Sequence, residues 1–421
     1  MLIRAKKSKR NKPDSESLLV TVDVSKNIHT GYFLCPDGKE STVFKFGNSR
    51  HGFEYLYQTG CSFAKSHGLS KIVVGYESTG SYGKPLAHFL LKRGVELVQV
   101  NPMHTKRVKE LDGNSPNKTD LKDPRVIADI IKLGHALKVI IPEGAAAELR
   151  CLSTARERQS KDLTAHSNLL QDLIGTIFPE FFSVFKDITG VTARYILDKY
   201  PDPASLVKLG EKKLLKIMET KSRKRFGTLQ ANMLYQGACE TIGVCEGKAS
   251  VLLEIAQRMK MMEQGQEFLN DIEAKMESFL KEIPYASYIL SIKGIGVITA
   301  AGLIGEVGDF RKYRTLPELI KVAGLDLYEV SSGKHTGQRR ISKRGRPLMR
   351  KLLFFSALRL IKEGGIFHEK YQQHLSSGMV KMKAVIAIAK KLLGVIFALA
   401  RNSVNFDMDY NTEKVELEIA A

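Results

Sequence analysis

Tryptophan is absent from this chain of 421 residues, and its cysteines form no framework. Cys35, Cys61, Cys151, Cys239 and Cys245 are an odd set without a CxxC pair, which argues against a disulfide scaffold or a structural zinc site and fits a reducing cytoplasm. Long apolar runs are missing as well. Met1 to Lys12 is charged and lacks the apolar stretch of a signal peptide. The most apolar segment, Ala384 to Ala400, is divided by Lys390 and Lys391 into pieces too short to span a bilayer, so it reads as a buried helix and no membrane partner is expected. Acidic residues are in deficit: 45 Asp and Glu face 65 Lys and Arg, a net charge of +20. Such a surface attracts a polyanion, and nucleic acid is the leading partner class. A ribosome-associated or membrane-surface protein is the alternative that charge alone leaves open. An NTPase is not expected either, because around Gly83-Lys84 the first glycine position of a phosphate-binding loop holds Ser78 and the hydroxyl position holds Pro85.

What is present falls into an α/β part followed by a helical part. The chain is too long for one core, and two or three domains are expected. After a basic tail over residues 1–16, Leu18 to Val22, Thr30 to Leu34 and Ser41 to Phe46 read as a three-stranded meander with a Pro36-Asp37-Gly38 turn. A helix from Phe53 to Ser66, a strand from Lys71 to Tyr76, a helix from Tyr82 to Arg93 and a strand from Glu96 to Val100 follow. Beyond Asp123 strand signals nearly vanish. Leu149, Leu152, Leu163, Leu170, Ile174 and Ile177 lie at helical spacing in a long helix from Ala145 to Phe178, a helical hairpin or coiled coil. Helices continue through residues 180–285, with breaks near Pro201 to Pro203 and Gly237 to Gly247.

Four acids stand out. Asp23 ends the first strand and Glu77 ends the strand after Lys71, so parallel neighbours would present both carboxylates on one rim. Asp120 and Asp123 stand three apart just before a helix that stops at Gly134. Taken singly, Asp123 before Pro124 is also a good N-cap, and Asp23 and Glu77 are also ordinary strand-end residues. Clustered, the four repel one another, a cost relieved by hard cations such as Mg²⁺; two ions about 4 Å apart would serve phosphodiester chemistry.

The other candidate region is basic. Lys293-Gly294-Ile295-Gly296 places two glycines in a turn before an apolar helix, whose amides are suited to a phosphate; a simple helix connection is the plain alternative. Lys334, Arg339, Arg340, Lys343, Arg344, Arg346, Arg350 and Lys351 follow without an intervening acid, a phosphate-binding segment. Ser331 and Ser332 lie just upstream beside Gly333. A serine among cations is a candidate nucleophile, though serine beside glycine is more often a turn.

These motifs resemble those of the DEDD transposases of bacterial insertion sequences, relatives of the Piv DNA invertase. The residues that carry the resemblance are Asp23-Val24-Ser25-Lys26, Glu77-Ser78-Thr79-Gly80-Ser81-Tyr82, Asn101-Pro102, Lys118-Thr119-Asp120 through Asp123, and Lys293-Gly294-Ile295-Gly296 with Thr299-Ala300. Ala323-Gly324-Leu325, Ser332-Gly333, Ile341-Ser342-Lys343-Arg344-Gly345 and Leu348-Met349-Arg350 complete the series, over residues 18–407.

The resemblance implies an α/β, RuvC-like (ribonuclease-H-type) domain over residues 17–140 and a helical or coiled-coil linker over 141–285. A mostly α transposase domain with a helix-hairpin-helix-like turn occupies 286–407, and 408–421 is a tail. It implies Mg²⁺ held by Asp23, Glu77, Asp120 and Asp123, and a serine nucleophile at Ser332, with Ser331 as the alternative. Nucleic acid falls to Lys293, Gly294, Gly296, Lys334, Arg339, Arg340, Lys343, Arg344 and Arg350. Donor and target DNA, a structured bridge RNA as guide, and dimers assembling to tetramers are the implied partners, in a bacterial cytoplasm at the nucleoid. Pro124 departs from the usual alanine and Asp326 from a common proline, and residues 194–283 exceed the minimal plan. The competing functions are a RuvC-like nuclease, for which the acids suffice, and a non-catalytic nucleic-acid-binding protein.

Overall fold

The computed structural model describes residues 14–77, 80–111, 123–329 and 339–407. The chain divides into two compact units, the first ending at Ile140 and the second starting at Ile141.

The first unit is a mixed sheet with helices on both faces. Its elements are β1 (Ser17–Asp23), β2 (Ile28–Leu34), β3 (Phe44–Gly47), α1 (Arg50–Ser66), β4 (Lys71–Glu77), α2 (Lys84–Leu91), β5 (Glu96–Val100), α3 (Pro102–Leu111), α4 (Asp123–Lys132) and the short β6 (Leu137–Lys138). The strand order is β3-β2-β1-β4-β5-β6. The meander β1-β2-β3 is antiparallel, β1 and β4 are parallel, as are β4 and β5, and β6 returns antiparallel to β5. Because side chains alternate across a strand, β1 and β4 must be apolar on both sides to be covered on both. Val20, Ile72 and Val74 meet Leu56, Gly60 and Leu90 of α1 and α2. On the other face Leu19, Val73, Val98 and Val100 pack with Val126, Ile127, Ile130 and Ile131 of α4. Gly75 lets α4 settle closely, since a Cβ there would lie 2.2 Å from Ile131 Cδ1.

Several details differ from the sequence reading. Asp14 and Glu16, placed in the tail, are fixed to β4: Lys71 Nζ pairs with Asp14 at 2.9 Å and Lys71 N–H donates to Glu16 O at 3.2 Å. α1 begins three residues early because Ser49 caps it, accepting from Gly52 N–H at 3.2 Å. α3 was missed although its signal is plain: Asn101 Oδ1 accepts from Met103 N–H at 2.9 Å, an N-cap followed by a first-turn proline. Residues 1–13, Asp120, Ser331, Ser332, Lys334 and the 408–421 tail lie outside the described residues.

The second unit is built on two long helices, α5 (Gly144–Ile177) and, later in the chain, Lys248–Lys281. Between them come α6 (Phe181–Val184), α7 (Val191–Lys199), α8 (Pro203–Leu209), α9 (Glu211–Ser222) and α10 (Thr228–Cys239), so Lys248–Lys281 is α11. α11 packs along α5, and the intervening helices share a core of Phe178, Phe181, Ile196, Leu214, Met218 and Leu234 with the ends of that pair. The chain closes with α12 (Ala286–Leu290), α13 (Val297–Val307), α14 (Leu316–Ala323), the two-residue strands β7 (Leu327–Tyr328) and β8 (Arg340–Ile341), α15 (Pro347–Leu360), α16 (His368–Ser376) and α17 (Lys381–Asn402). α17 is the buried helix expected near Ala384 to Ala400. Among the described residues no helix is long and apolar enough to cross a membrane.

α13 lies against α5 at backbone distance. A Cβ on Gly305 would stand 2.7 Å from Leu149 C and Arg150 N, atoms that cannot yield as a side-chain tip can. Gly→Ala inside a helix normally stabilises by about 1 kcal/mol. Here the overlap outweighs that gain, and Gly305→Ala is expected to destabilise the helical unit by about 1–3 kcal/mol, read as a lower midpoint in thermal unfolding; a raised midpoint would show that the helices have room.

Candidate functional site

Three of the four sequence-selected acids lie in the first unit's described residues, and the fold brings them to one side and one end of the sheet. β1 and β4 pair in register from Ser17↔Lys71 to Val22↔Tyr76. The next residue of each strand is its last, Asp23 on β1 and Glu77 on β4, so the two backbones stand about 4.8 Å apart. Alternation sets their direction. Thr21 faces α4, because its Oγ1 donates to Pro124 O at 2.7 Å, and Asp23 two residues later shares that face. Gly75 faces Ile131 of α4, and Glu77 two residues later shares that face in turn. Asp123 is the first residue of α4 and only 9% exposed, one peptide from the carbonyl that Thr21 holds. Asp23 and Glu77 are half-buried. Among the described residues no three His, Cys, Asp or Glu side chains close into a ready-made metal group. The donors at this rim are carboxylate oxygens, chemistry suited to a hard divalent cation.

The start of α4 is held by residues the sequence reading did not select. Thr21 is fully buried, and its hydroxyl is satisfied by Pro124 O. Arg125 Nη2 donates to Glu40 Oε1 at 3.3 Å, its guanidinium over the Tyr32 ring at 5.4 Å. Tyr32 donates its phenol proton to Glu40; burial first, and then Glu40, hold that phenol far above its ordinary pKa and keep it a donor. A threonine in the middle of Leu19-Val20-Thr21-Val22 is the visible signal, since a polar side chain inside a two-sided strand needs a named partner.

The turn after Asp23 is pinned just as firmly. Ser25 N–H donates to His29 Nδ1 at 3.1 Å, Ser25 Oγ to Ile28 O, Asn48 Nδ2 to Lys26 O at 3.0 Å and Asn48 N–H to Asn27 O at 2.8 Å. His29 is fully buried between Phe46 and Phe53, with centroids 5.2 and 6.0 Å away. As an acceptor at Nδ1 it must be neutral. Burial holds its pKa below the ordinary value, and the Asn48 amide acts the other way.

In the second unit, Lys293 is exposed in a turn where Gly294 adopts φ +108°, and Gly296 precedes α13 with extended backbone. β7 pairs with β8 through Leu327↔Ile341 and Tyr328↔Arg340, which brings together the flanks of residues 329–339. Exposed cations follow, but not all are available to a ligand. Arg339 pairs with Glu329 at 2.9 Å, and Lys351 with Glu157 at 2.8 Å. Arg350 donates to Ala323 O at 3.0 Å and Lys343 O at 3.5 Å, and burial lowers its pKa. It holds the segment in place. Arg340, Lys343 and Arg344 are exposed beside it.

Two family models match at these two places. A transposase model of the DEDD, IS110 type matches residues 20–179, and the model of the transposase IS116/IS110/IS902 family matches residues 286–372. The chain belongs to the IS110/IS116/IS902 family of transposases. The 43.6 kDa protein of insertion element IS110 from Streptomyces coelicolor is 24% identical over 391 residues, 92% of this chain and 94% of its own. The 44.8 kDa protein of insertion element IS116 from Streptomyces clavuligerus is 24% identical over 392 residues, 92% of this chain and 95% of its own. The transposase for insertion sequence element IS1111A from Coxiella burnetii is 28% identical over 136 residues, 32% and 37% of the two chains. The rim of acids and the basic segment of this transposase thus fall one in each matched region, and residues 180–285 lie between the two.

His29 gives this unit a pH signature. A histidine buried neutral stabilises fully above its unfolded pKa of about 6.5 and loses that contribution as pH falls below it. The melting temperature of the first unit should therefore fall between pH 7 and pH 5.5, and fall less in His29→Gln, which retains an acceptor but does not titrate. Equal falls in both proteins would remove His29 from the linkage.

Proposed function

We propose that this transposase cuts and rejoins DNA through a metal-assisted carboxylate site and a serine nucleophile. The observation that carries the proposal is the placement of Asp23 and Glu77 on the last residues of parallel neighbours, facing the helix that Asp123 opens. Asp120, three residues ahead, completes the set. Carboxylate oxygens suit Mg²⁺, two ions in the fullest form, and a bound ion would supply Lewis-acid activation of a phosphodiester. The mixed sheet with acids at its strand ends supports reading the first unit as a RuvC-like, ribonuclease-H-type domain, and the α5–α11 pair supports a coiled-coil linker.

The chain's own groups then divide the work. Thr21, Arg125 and the pinned turn after Asp23 keep the carboxylates from moving apart under their mutual repulsion. Arg340, Lys343 and Arg344 hold phosphates for attack by Ser332, with Lys293, Gly294 and Gly296 as a further phosphate contact. Ser332 Oγ attacks phosphorus as its proton leaves, a Ser–O–P bond forms, and the bond from phosphorus to one bridging sugar oxygen breaks, that oxygen leaving as a hydroxyl after taking up a proton. A strand-end hydroxyl from the second DNA attacks the same phosphorus, which frees the serine and conserves the phosphodiester. Ser331 is the neighbouring alternative. A structured bridge RNA as guide, assembly of dimers into tetramers, and residence at the nucleoid belong to the same proposal; the net charge of +20 supports polyanion partners.

The test is incubation of wild type, Ser332→Ala and Asp23→Asn with Mg²⁺, donor and target DNA and the RNA encoded beside the gene. Denaturant-resistant protein–DNA adducts and joined products are expected from wild type alone, while both variants retain DNA binding. Cleavage by Ser332→Ala without an adduct would make the protein a nuclease that needs only the acids. Rearrangement by Asp23→Asn would make the acids structural.

A further inference from the structure

The helices between α5 and α11 carry a charge pattern that neither matched region includes. From Pro203 to Cys239 there are eight Lys and Arg against two acids, Glu211 and Glu219. On α9, Lys212, Lys213 and Lys216 share one exposed face, and Arg223, Lys224 and Arg225 continue it in the turn to α10. The opposite face is turned into the core, with Leu214 and Met218 fully buried. Lysines nearby are neutralised, Lys199 by Asp198 and Lys248 by Asp202 at 3.0 Å each. None of the six stripe residues makes such a pair among the described residues.

The turn is hydrogen-bonded and strained in the same place. Arg223 and Lys224 both adopt left-handed backbone, φ +54° and +62°, a conformation that strains an L side chain and that glycine takes freely. It closes α9, with Lys224 N–H donating to Glu219 O at 2.8 Å. Ser222, 8% exposed, accepts from Phe226 N–H at 2.9 Å, and the Phe226 ring packs against Phe185 with centroids 5.3 Å apart. Two anchors, the buried Ser222 and the partly buried Phe226, therefore bracket three consecutive exposed cations. Strain kept at a projecting polar turn, where glycine would relieve it, points to a use for the side chains.

We propose that this stripe and turn form a second DNA-binding surface, one that grips the phosphate backbone of double-stranded DNA without reading sequence. Charge complementarity names the polyanion, and the family's substrate names it as DNA. Duplex is favoured over single strand because residues 211–225 contain no aromatic side chain on which unpaired bases could stack. Residues 212–222 span about 16 Å of helix, the length of about five phosphates along one strand. The proposal requires only that the chain acts on DNA and is independent of the assignment of Ser332.

The test uses the full chain with Arg223→Gly, Lys224→Asn and Arg225→Gln together, and separately with Lys212→Gln and Lys216→Gln. Binding to a duplex from an insertion-element end, to an unrelated duplex and to single-stranded RNA is followed by fluorescence anisotropy from 50 to 200 mM salt. For the triple variant, the slope of log K against log salt should become shallower by about 2–3, at about 0.9 for each phosphate no longer neutralised. Affinity for the two duplexes should fall by the same factor, and the melting temperature should be unchanged or higher, since the strain is relieved. The α9 pair, remote from the strained turn, should lower the slope by about 2. An unchanged slope in both folded variants overturns the proposal, as does a loss confined to one duplex sequence or to RNA.

Discussion

The pairing of β1 with β4, parallel and in register, is the constraint on which the candidate site depends. It puts the last residue of each strand side by side, and those residues are Asp23 and Glu77. A slip of one residue would turn Asp23 and Thr21 to the opposite face, away from α4, and leave a buried hydroxyl without Pro124 O. The site and the core are therefore specified by the same register: Leu19 and Val73, among the apolar residues that hold α4 against the sheet, share one face with Thr21 and Asp23 on one strand and with Gly75 and Glu77 on the other. Folding the sheet correctly is what aims the acids.

Aiming like charges at one another has a cost, and the surroundings of the site oppose it mechanically. α4 enters under a buried hydrogen bond from Thr21 and an ion pair between Arg125 and Glu40, whose other oxygen takes the Tyr32 phenol. The turn that leaves Asp23 is fixed from both sides by His29 and Asn48. A buried polar group left unsatisfied costs about 1–3 kcal/mol, so the Thr21 hydroxyl on Pro124 O resists a drift of the rim most strongly, and the more exposed Arg125–Glu40 pair and Asn48 contacts add to it less. The helical unit is packed as tightly in its own core. Gly305 brings α13 to backbone contact with α5, and the basic segment after β8 is tied to Gly324 O and Ala323 O by Lys343 N–H and the Arg350 side chain.

The parts of this arrangement that the sequence made legible are those with a local period or a local cap. Alternating and continuous apolar runs marked β1, β2, β4 and β5, and helical spacing marked α5. Glu77 is recognisable because a polar residue ends a buried run, and its place beside Asp23 follows from parallel pairing of the two strands. The clamps were not legible in the same way. Thr21 to Pro124 and Glu40 to Arg125 join residues far apart in the chain, and no local pattern encodes such a pairing. β6, β7 and β8 are two residues each, too short to carry a period. The run of cations from Lys334 to Lys351 looked uniformly available because its acidic partners, Glu329 and Glu157, lie outside it and are supplied by the fold. Arg350 changed meaning for the same reason. The left-handed turn at Arg223 and Lys224 is invisible in composition, since Lys and Arg carry no signal for positive φ.

The central claim is that Asp23, Glu77 and Asp123 act as one cation-binding rim. Titration of Mn²⁺, as a spectroscopically visible substitute for Mg²⁺, into the nucleic-acid-free protein tests it without requiring turnover. The account predicts saturable binding to the wild type that weakens at least about tenfold, roughly 1.4 kcal/mol, in Glu77→Gln and again in Asp123→Asn, with the folded state intact. Equal Mn²⁺ affinity in wild type and both variants would contradict it.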